Sequence, residues 1–176
     1  MGTIKTTNIE PIADNGTVTL GSSGDTFTLG SGVVQSNLNY PAFHATSNVG
    51  QSVAQDTTVK VQYNTEVFDT DSCYDTSNYR FTPNKAGKYF IYAVFRYETS
   101  DDFQSNQMWI YKNGSEFIQV VRPQQHYTAL DGQAIVECNG SSDYIEIYAR
   151  QESGSGSYTM SNNSKRIYFY GYRIGS

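Results

Sequence analysis

The sequence predicts an all-β chain, and three observations predict it. Aromatic residues make up 14% of the 176, with 15 Tyr and 9 Phe, while charged residues reach only 16%. Aromatic and β-branched residues favour strands, and the abundant Gly, Asn, Asp and Ser favour the tight turns between them. No long window places apolar residues at i, i+3, i+4 and i+7, as an amphipathic helix requires. Several short segments instead alternate apolar and polar residues, of which Tyr144-Ile145-Glu146-Ile147-Tyr148 is the plainest.

The chain begins differently from how it continues. Residues 1–39 are rich in Thr, Gly, Ser and Asn and almost free of aromatics. They hold a nine-residue repeat, in which Thr17-Val18-Thr19-Leu20-Gly21-Ser22 is followed by Thr26-Phe27-Thr28-Leu29-Gly30-Ser31. Each copy reads as one short strand, with Val18 and Leu20, then Phe27 and Leu29, on a single face. Two strands cannot bury that face alone, since an isolated hairpin is marginal in water. Copies from other chains, the same chain's own second domain, or no partner at all (a flexible tail) are the three ways to resolve it. The first makes residues 1–39 a trimeric β-stem whose interface draws on Val18, Leu20, Phe27 and Leu29.

From residue 40 to 176 the aromatic density rises. Strands are expected at 42–46, 58–67, 80–82, 87–97, 107–112, 116–121, 132–138, 144–150 and 166–174. Asn113-Gly114 between two of them signals a type I′ hairpin turn, because both residues tolerate positive φ. About nine short strands at this spacing predict a sandwich or jelly roll, not a parallel sheet.

Seven of these residues carry a resemblance. Tyr63, Asp69, Tyr74, Phe81, Gly87, Tyr89 and Ile91 follow the spacing of the C1q-like signature: aromatic, Asn or Asp, aromatic, Phe, then Gly-x-Tyr-x-Phe. The departures are Tyr63 for Phe, Ile91 for Phe, and Ala93 where a last aromatic is expected. Pro41-Ala42-Phe43-His44-Ala45, Ile110-Tyr111-Lys112-Asn113-Gly114 and Phe169-Tyr170-Gly171-Tyr172-Arg173-Ile174 resemble the family's opening strand, central hairpin and closing strand. Residues 41–174 therefore resemble a C1q/TNF-like jelly roll, and the resemblance implies a homotrimer. Ile4-Lys5-Thr6-Thr7-Asn8-Ile9-Glu10-Pro11, with the repeats after it, resembles the start of virion structural and fibre proteins of marine, cyanophage-like phages.

Enzyme chemistry is not expected. The only histidines are His44 and His126, and neither joins a nucleophilic triad or a Gly-x-Ser-x-Gly elbow. His44 reads as a wall or interface residue of the first strand, and His126 as a solvated residue or ligand contact. Asp101 and Asp102, near Glu98, form an acidic loop. That loop is a solvated hairpin tip or, as an outside possibility kept open by the resemblance, a calcium site. No other cofactor or metal is expected. Cys73 and Cys138 read as two small buried hydrophobes or as a single disulfide.

The partners expected follow from charge and resemblance. The net charge is −5 with no Lys/Arg cluster, which argues against nucleic acid. No apolar run of 18 residues exists to insert in a membrane, and residues 1–12 lack the pattern of a secretion signal. The resemblances imply a bacteriophage virion surface protein. In that reading the stem meets other virion proteins, and the heads attach to a host-surface glycan or outer-membrane protein. Candidate target-binding loops are 98–106, 122–129 and 152–162, with Asp101, Asp102, His126, Tyr127 and Tyr158 as contacts. Flexible Ser/Gly next to Tyr158 suits adaptable binding. The alternatives are a capsid decoration or cement protein and a cell-associated bacterial protein.

Overall fold

The computed structural model describes residues 9, 18–19, 21–26, 28 and 31, and then residues 39–175 apart from 100–102, 126–128 and 155. Residues 121–125 are described in their backbone. The expected stem positions Leu20, Phe27 and Leu29 and the expected contacts Asp101, Asp102, His126 and Tyr127 lie outside the described residues. The chain divides into two units, Met1–Ser36 and Asn37–Ser176. In the first, Val18 is exposed, and Asp25 closes a small turn by accepting a hydrogen bond from the Ser22 backbone N–H at 2.6 Å.

The second unit is all-β and sandwich-like, with antiparallel sheets. Thirteen strands occur among the described residues: β1 (Ala42–Thr46), β2 (Gln51–Ala54), β3 (Val59–Lys60), β4 (Thr65–Asp69), β5 (Tyr74–Asp75), β6 (Arg80–Phe81), β7 (Ala86–Arg96), β8 (Phe103–Lys112), β9 (Ser115–Gln125), β10 (Ala129–Asn139), β11 (Ile145–Glu152), β12 (Ser157–Met160) and β13 (Tyr168–Gly175). One sheet has the order β10-β7-β13-β1-β4. The second runs β5-β6-β11-β8-β9, with β3 also paired to β11, and β12 pairs with β2.

The alternation read from the sequence decides what each strand buries. On β7, Tyr89, Ile91, Ala93 and Phe95 point into the core. On β10, Leu130, Ala134, Val136 and Cys138 do the same. The two sheets meet through Phe43 of β1, whose ring stacks on Phe81 at 4.3 Å and on Tyr74 at 5.0 Å, both from the opposite sheet. Phe169 closes against it edge-on at 4.7 Å. Phe43 is fully buried, so Phe43→Ala removes the ring and leaves a cavity. The expected loss is about 3–5 kcal/mol of unfolding free energy, to be read by urea titration, and an unchanged midpoint would refute this packing.

Turns follow local chemistry. Asn113 (φ 54°) and Gly114 (φ 75°) form the expected two-residue turn between Lys112 and Ser115, which pair directly. Gly87 has φ 145°, and a Cβ there would run into the Gly175 carbonyl oxygen. The close approach of β13 therefore explains the glycine. Cys73 and Cys138 are both buried and unbonded. Burial pushes the Cys138 thiol up to about 11 and raises Cys73 as well, so both stay protonated at neutral pH.

Four expectations needed correction. The stretch 58–67 is not one strand but two, because β3 pairs in one sheet and β4 in the other. The 152–162 stretch is not wholly a loop, since Ser157–Met160 is a strand registered on Gln51–Ala54. The stretches 98–106 and 122–129 are not wholly loops either, because β8 starts at Phe103, β9 runs to Gln125 and β10 starts at Ala129. Pro123 within β9 is tolerated because β9 is the last strand of its sheet among the described residues.

Candidate functional site: an aromatic sheet face

The outward positions of the β10-β7-β13-β1-β4 sheet form three rows. Gln133, Tyr92, Tyr170, His44 and Phe68 lie directly opposite one another across all five strands. Beside them run Ile135, Phe90, Tyr172 and Ala42, and on the other flank Asp131, Val94, Tyr168 and Thr46. Aromatic and imidazole rings thus tile the face. Tyr92 and Tyr170 are 5.3 Å apart, Phe90 and Tyr172 5.6 Å, and His44 lies 5.9 Å from Tyr170, 6.1 Å from Phe68 and 6.2 Å from Tyr168. These spacings suit offset and edge-on ring pairs.

The face is half-exposed. Phe68 is 47% exposed and Tyr172 36%. Because Ala42 offers only a methyl group, a hollow of about 280 Å³ opens between His44, Phe68, Tyr170 and Tyr172. Burial lowers the pKa of His44 below its usual 6.5, so the imidazole is neutral at pH 7. Burial, then the neighbouring Asp131, push Tyr92 up to about 12, and its hydroxyl donates to that carboxylate at 3.5 Å.

The opposite outer face has another character. On β11, Glu146 is almost fully covered and pairs with Lys60 at 2.8 Å and Arg80 at 3.7 Å. Arg80 lies over the Tyr144 ring at 4.6 Å. Arg150 bridges Asp56 at 3.2 Å and Glu152 at 3.1 Å. Ion pairs cover part of this face, while Arg80 Nε, Arg150 Nε and Trp109 Nε1 are buried there without a hydrogen-bond partner. The two faces therefore differ in what they ask of a partner: one presents contiguous apolar area, the other paired charge beside the stacked Tyr111 and Tyr148 rings, 4.2 Å apart.

Of the residues singled out from the sequence, His44 points outward into the aromatic face. Tyr158 sits on β12, not in a loop, and its ring packs edge-on against Phe103 at 5.3 Å. Sequence reasoning missed the face itself and also Trp109, which lies on the outward side of β8 opposite Tyr148 and Gln119 yet is only 5% exposed. It also missed Asn106 and Gln151, directly paired and fully inside the sandwich. Among the described residues, no group of three or more His, Cys, Asp and Glu is placed to hold a metal ion. No described helix is long and apolar enough to cross a membrane.

The domain is a C1q/TNF-like jelly roll. Murine APRIL superposes with a TM-score of 0.59 at 10% identity, covering 76% of this chain and 98% of that one. The globular domain of zebrafish complement 1qA gives 0.54 at 15%, covering 76% and 97%. The vertex protein P5 of PRD1 gives 0.58 at 13%, covering 76% and 96%. By sequence, the chain is similar to the phage-like element PBSX protein XkdV of Bacillus subtilis (strain 168), with 25% identity over 117 residues, or 59% of this chain. The match spans only 17% of that relative's length. No protein-family model matches the chain.

Proposed function

We propose that this chain is a non-enzymatic structural protein of a phage particle, a short trimeric knob on the virion surface whose heads attach to the host. The observation that carries the reading is the aromatic face on a C1q/TNF-like jelly roll. Contiguous ring surface on one sheet, set against an ion-paired sheet on the other, is the composition of a subunit interface. The likeness to a phage vertex protein and to a phage-like element protein supports the setting. Three heads on one axis multiply weak contacts with a surface glycan or outer-membrane protein.

The vertex protein among the structural neighbours also favours a second reading, a capsid decoration protein whose role is mechanical. One experiment separates the two. Labelled full-length protein is offered to host cells and, separately, to empty capsids. Saturable cell binding that blocks phage adsorption supports attachment. Tight capsid association without cell binding supports decoration and makes the N-terminal segment the functional part.

A further inference from the structure

The outer face of the β5-β6-β11-β8-β9 sheet carries a second group of rings. Lys60, Tyr148, Trp109 and Gln119 lie directly opposite one another across β3, β11, β8 and β9. Glu146, Tyr111 and Glu116 form the row on one side, and Arg150 with Gln107 the row on the other. The Tyr111 and Tyr148 rings stack at 4.2 Å, 26° from parallel, and both are half-exposed. Trp109 stands beside them, only 5% exposed, with half-exposed Gln107 and exposed Gln119 as its other neighbours.

Trp109 Nε1, Arg80 Nε and Arg150 Nε have no hydrogen-bond partner. All three are N–H donors, so this face is short of acceptors, and an unpaired buried donor is costly. The nearby carboxylates already accept elsewhere. Glu146 takes Lys60 at 2.8 Å and the Tyr148 hydroxyl at 3.4 Å, Glu152 takes Gln107 at 2.9 Å, and Glu116 takes the Tyr111 hydroxyl at 3.4 Å.

Charge narrows the class of ligand that brings acceptors here. Lys60 and Arg80 are paired with Glu146, and Arg150 with Asp56 and Glu152, so these cations are not held ready for phosphate or carboxylate groups. The rings are interleaved with amides and carboxylates, which a hydrophobic peptide would have to desolvate. A neutral chain of sugars meets both conditions. Its hydroxyls accept as well as donate, and its C–H faces lie against the electron-rich faces of aromatic rings. Surface amide side chains turn readily toward a ligand.

We infer that this face binds a neutral polysaccharide of the host surface, one sugar lying against the Tyr111–Tyr148 pair with its hydroxyls held by Gln119 and Gln107 beside Trp109. This rests on the attachment reading above and places the sugar contact on a sheet face, away from the loops.

Trp109 is the single tryptophan of the chain, so its fluorescence reports on this site. The full chain is titrated with polysaccharide extracted from the host surface. The expected result is a saturable change in Trp109 emission, lost when the polysaccharide has first been oxidised with periodate, which opens its diols. By calorimetry, Tyr148→Ala should weaken binding at least about tenfold, and Tyr148→Phe, which keeps the ring, should bind as the unsubstituted chain does. Gln119→Ala, at an exposed position that folding does not need, should also weaken it. Polysaccharide binding that both Tyr148→Ala and Gln119→Ala leave intact puts the sugar elsewhere and overturns the site. Binding to host cells that protease treatment of the cells removes and periodate does not makes the partner a surface protein. That outcome overturns the inference and leaves attachment standing. No binding of the unsubstituted chain to cells or to polysaccharide overturns both.

Discussion

Tyr170→Asp should convert the proposed trimer to a monomer of 19.6 kDa by light scattering while leaving the chain folded. Tyr170 is central on β13, between Tyr92 of β7 and His44 of β1, and its ring meets both. It faces outward, so the substitution takes nothing from the core cluster around Phe43. A carboxylate at this place must be desolvated when a second subunit covers the face. No cation among the described residues stands opposite Tyr170 to pair with it. An uncompensated charge buried this way costs several kcal/mol, and every 1.4 kcal/mol is tenfold in affinity. With one such site per subunit, the association constant should fall by at least about a thousandfold. Tyr170→Phe keeps the area and should remain a trimer. Arg150→Glu, on the ion-paired face, should also remain one, although it breaks the Asp56 and Glu152 contacts. If Tyr170→Asp still scatters as a trimer, the aromatic face is not the interface.

Much of the fold was legible because local pattern and tertiary environment agree. Residues 42–46 alternate, and they are β1 with Phe43 and Ala45 inside. Asn113-Gly114 demands positive φ twice, and the chain supplies it there. Where the two disagree, the pattern misleads. Residues 58–67 look like one strand, but β3 pairs with β11 and β4 with β1. The four residues between them carry the chain from one sheet to the other, with Val61 and Tyr63 buried on the way. The front of β8 was missed because Ser105 and Asn106 are polar yet buried. Four-residue β2 and β12 hold too few apolar positions to announce themselves.

The candidate site was legible only in part, for a different reason. His44 alone suggested a wall or an interface. The row that gives it meaning is assembled from residues 68, 170, 92 and 133, which lie on four other strands. Only the strand order places them side by side, and strand order is set by long-range pairing that no local spacing encodes. The abundance of tyrosine hinted that some rings would serve association, but not which ones.

Acid should dissociate the proposed trimer, and His44 should be the group responsible. Its pKa is lowered already in the single chain, by burial alone. The groups facing it are Phe68 and, one pleat along β4, Glu66; on β13 they are the uncharged rings of Tyr168, Tyr170 and Tyr172. Covering this face with another subunit removes the remaining water and lowers the pKa further. The assembled state therefore binds fewer protons than the free chain. Association is then at full strength above the free-chain pKa, which lies below 6.5, and weakens progressively as pH falls through and below it, by up to three protons per trimer. Hydrogen bonds accepted from Asn78, Ser161 and Asn113 keep Asp75, Glu98 and Asp143 below their usual range. Light scattering from pH 7.5 to 5 at fixed ionic strength is the measurement. His44→Phe should abolish the pH dependence and leave a trimer at both ends. His126→Gln, the other histidine, should change nothing. Should the dependence survive in His44→Phe and vanish in His126→Gln, the acid-sensitive group is His126 and His44 is a packing residue alone.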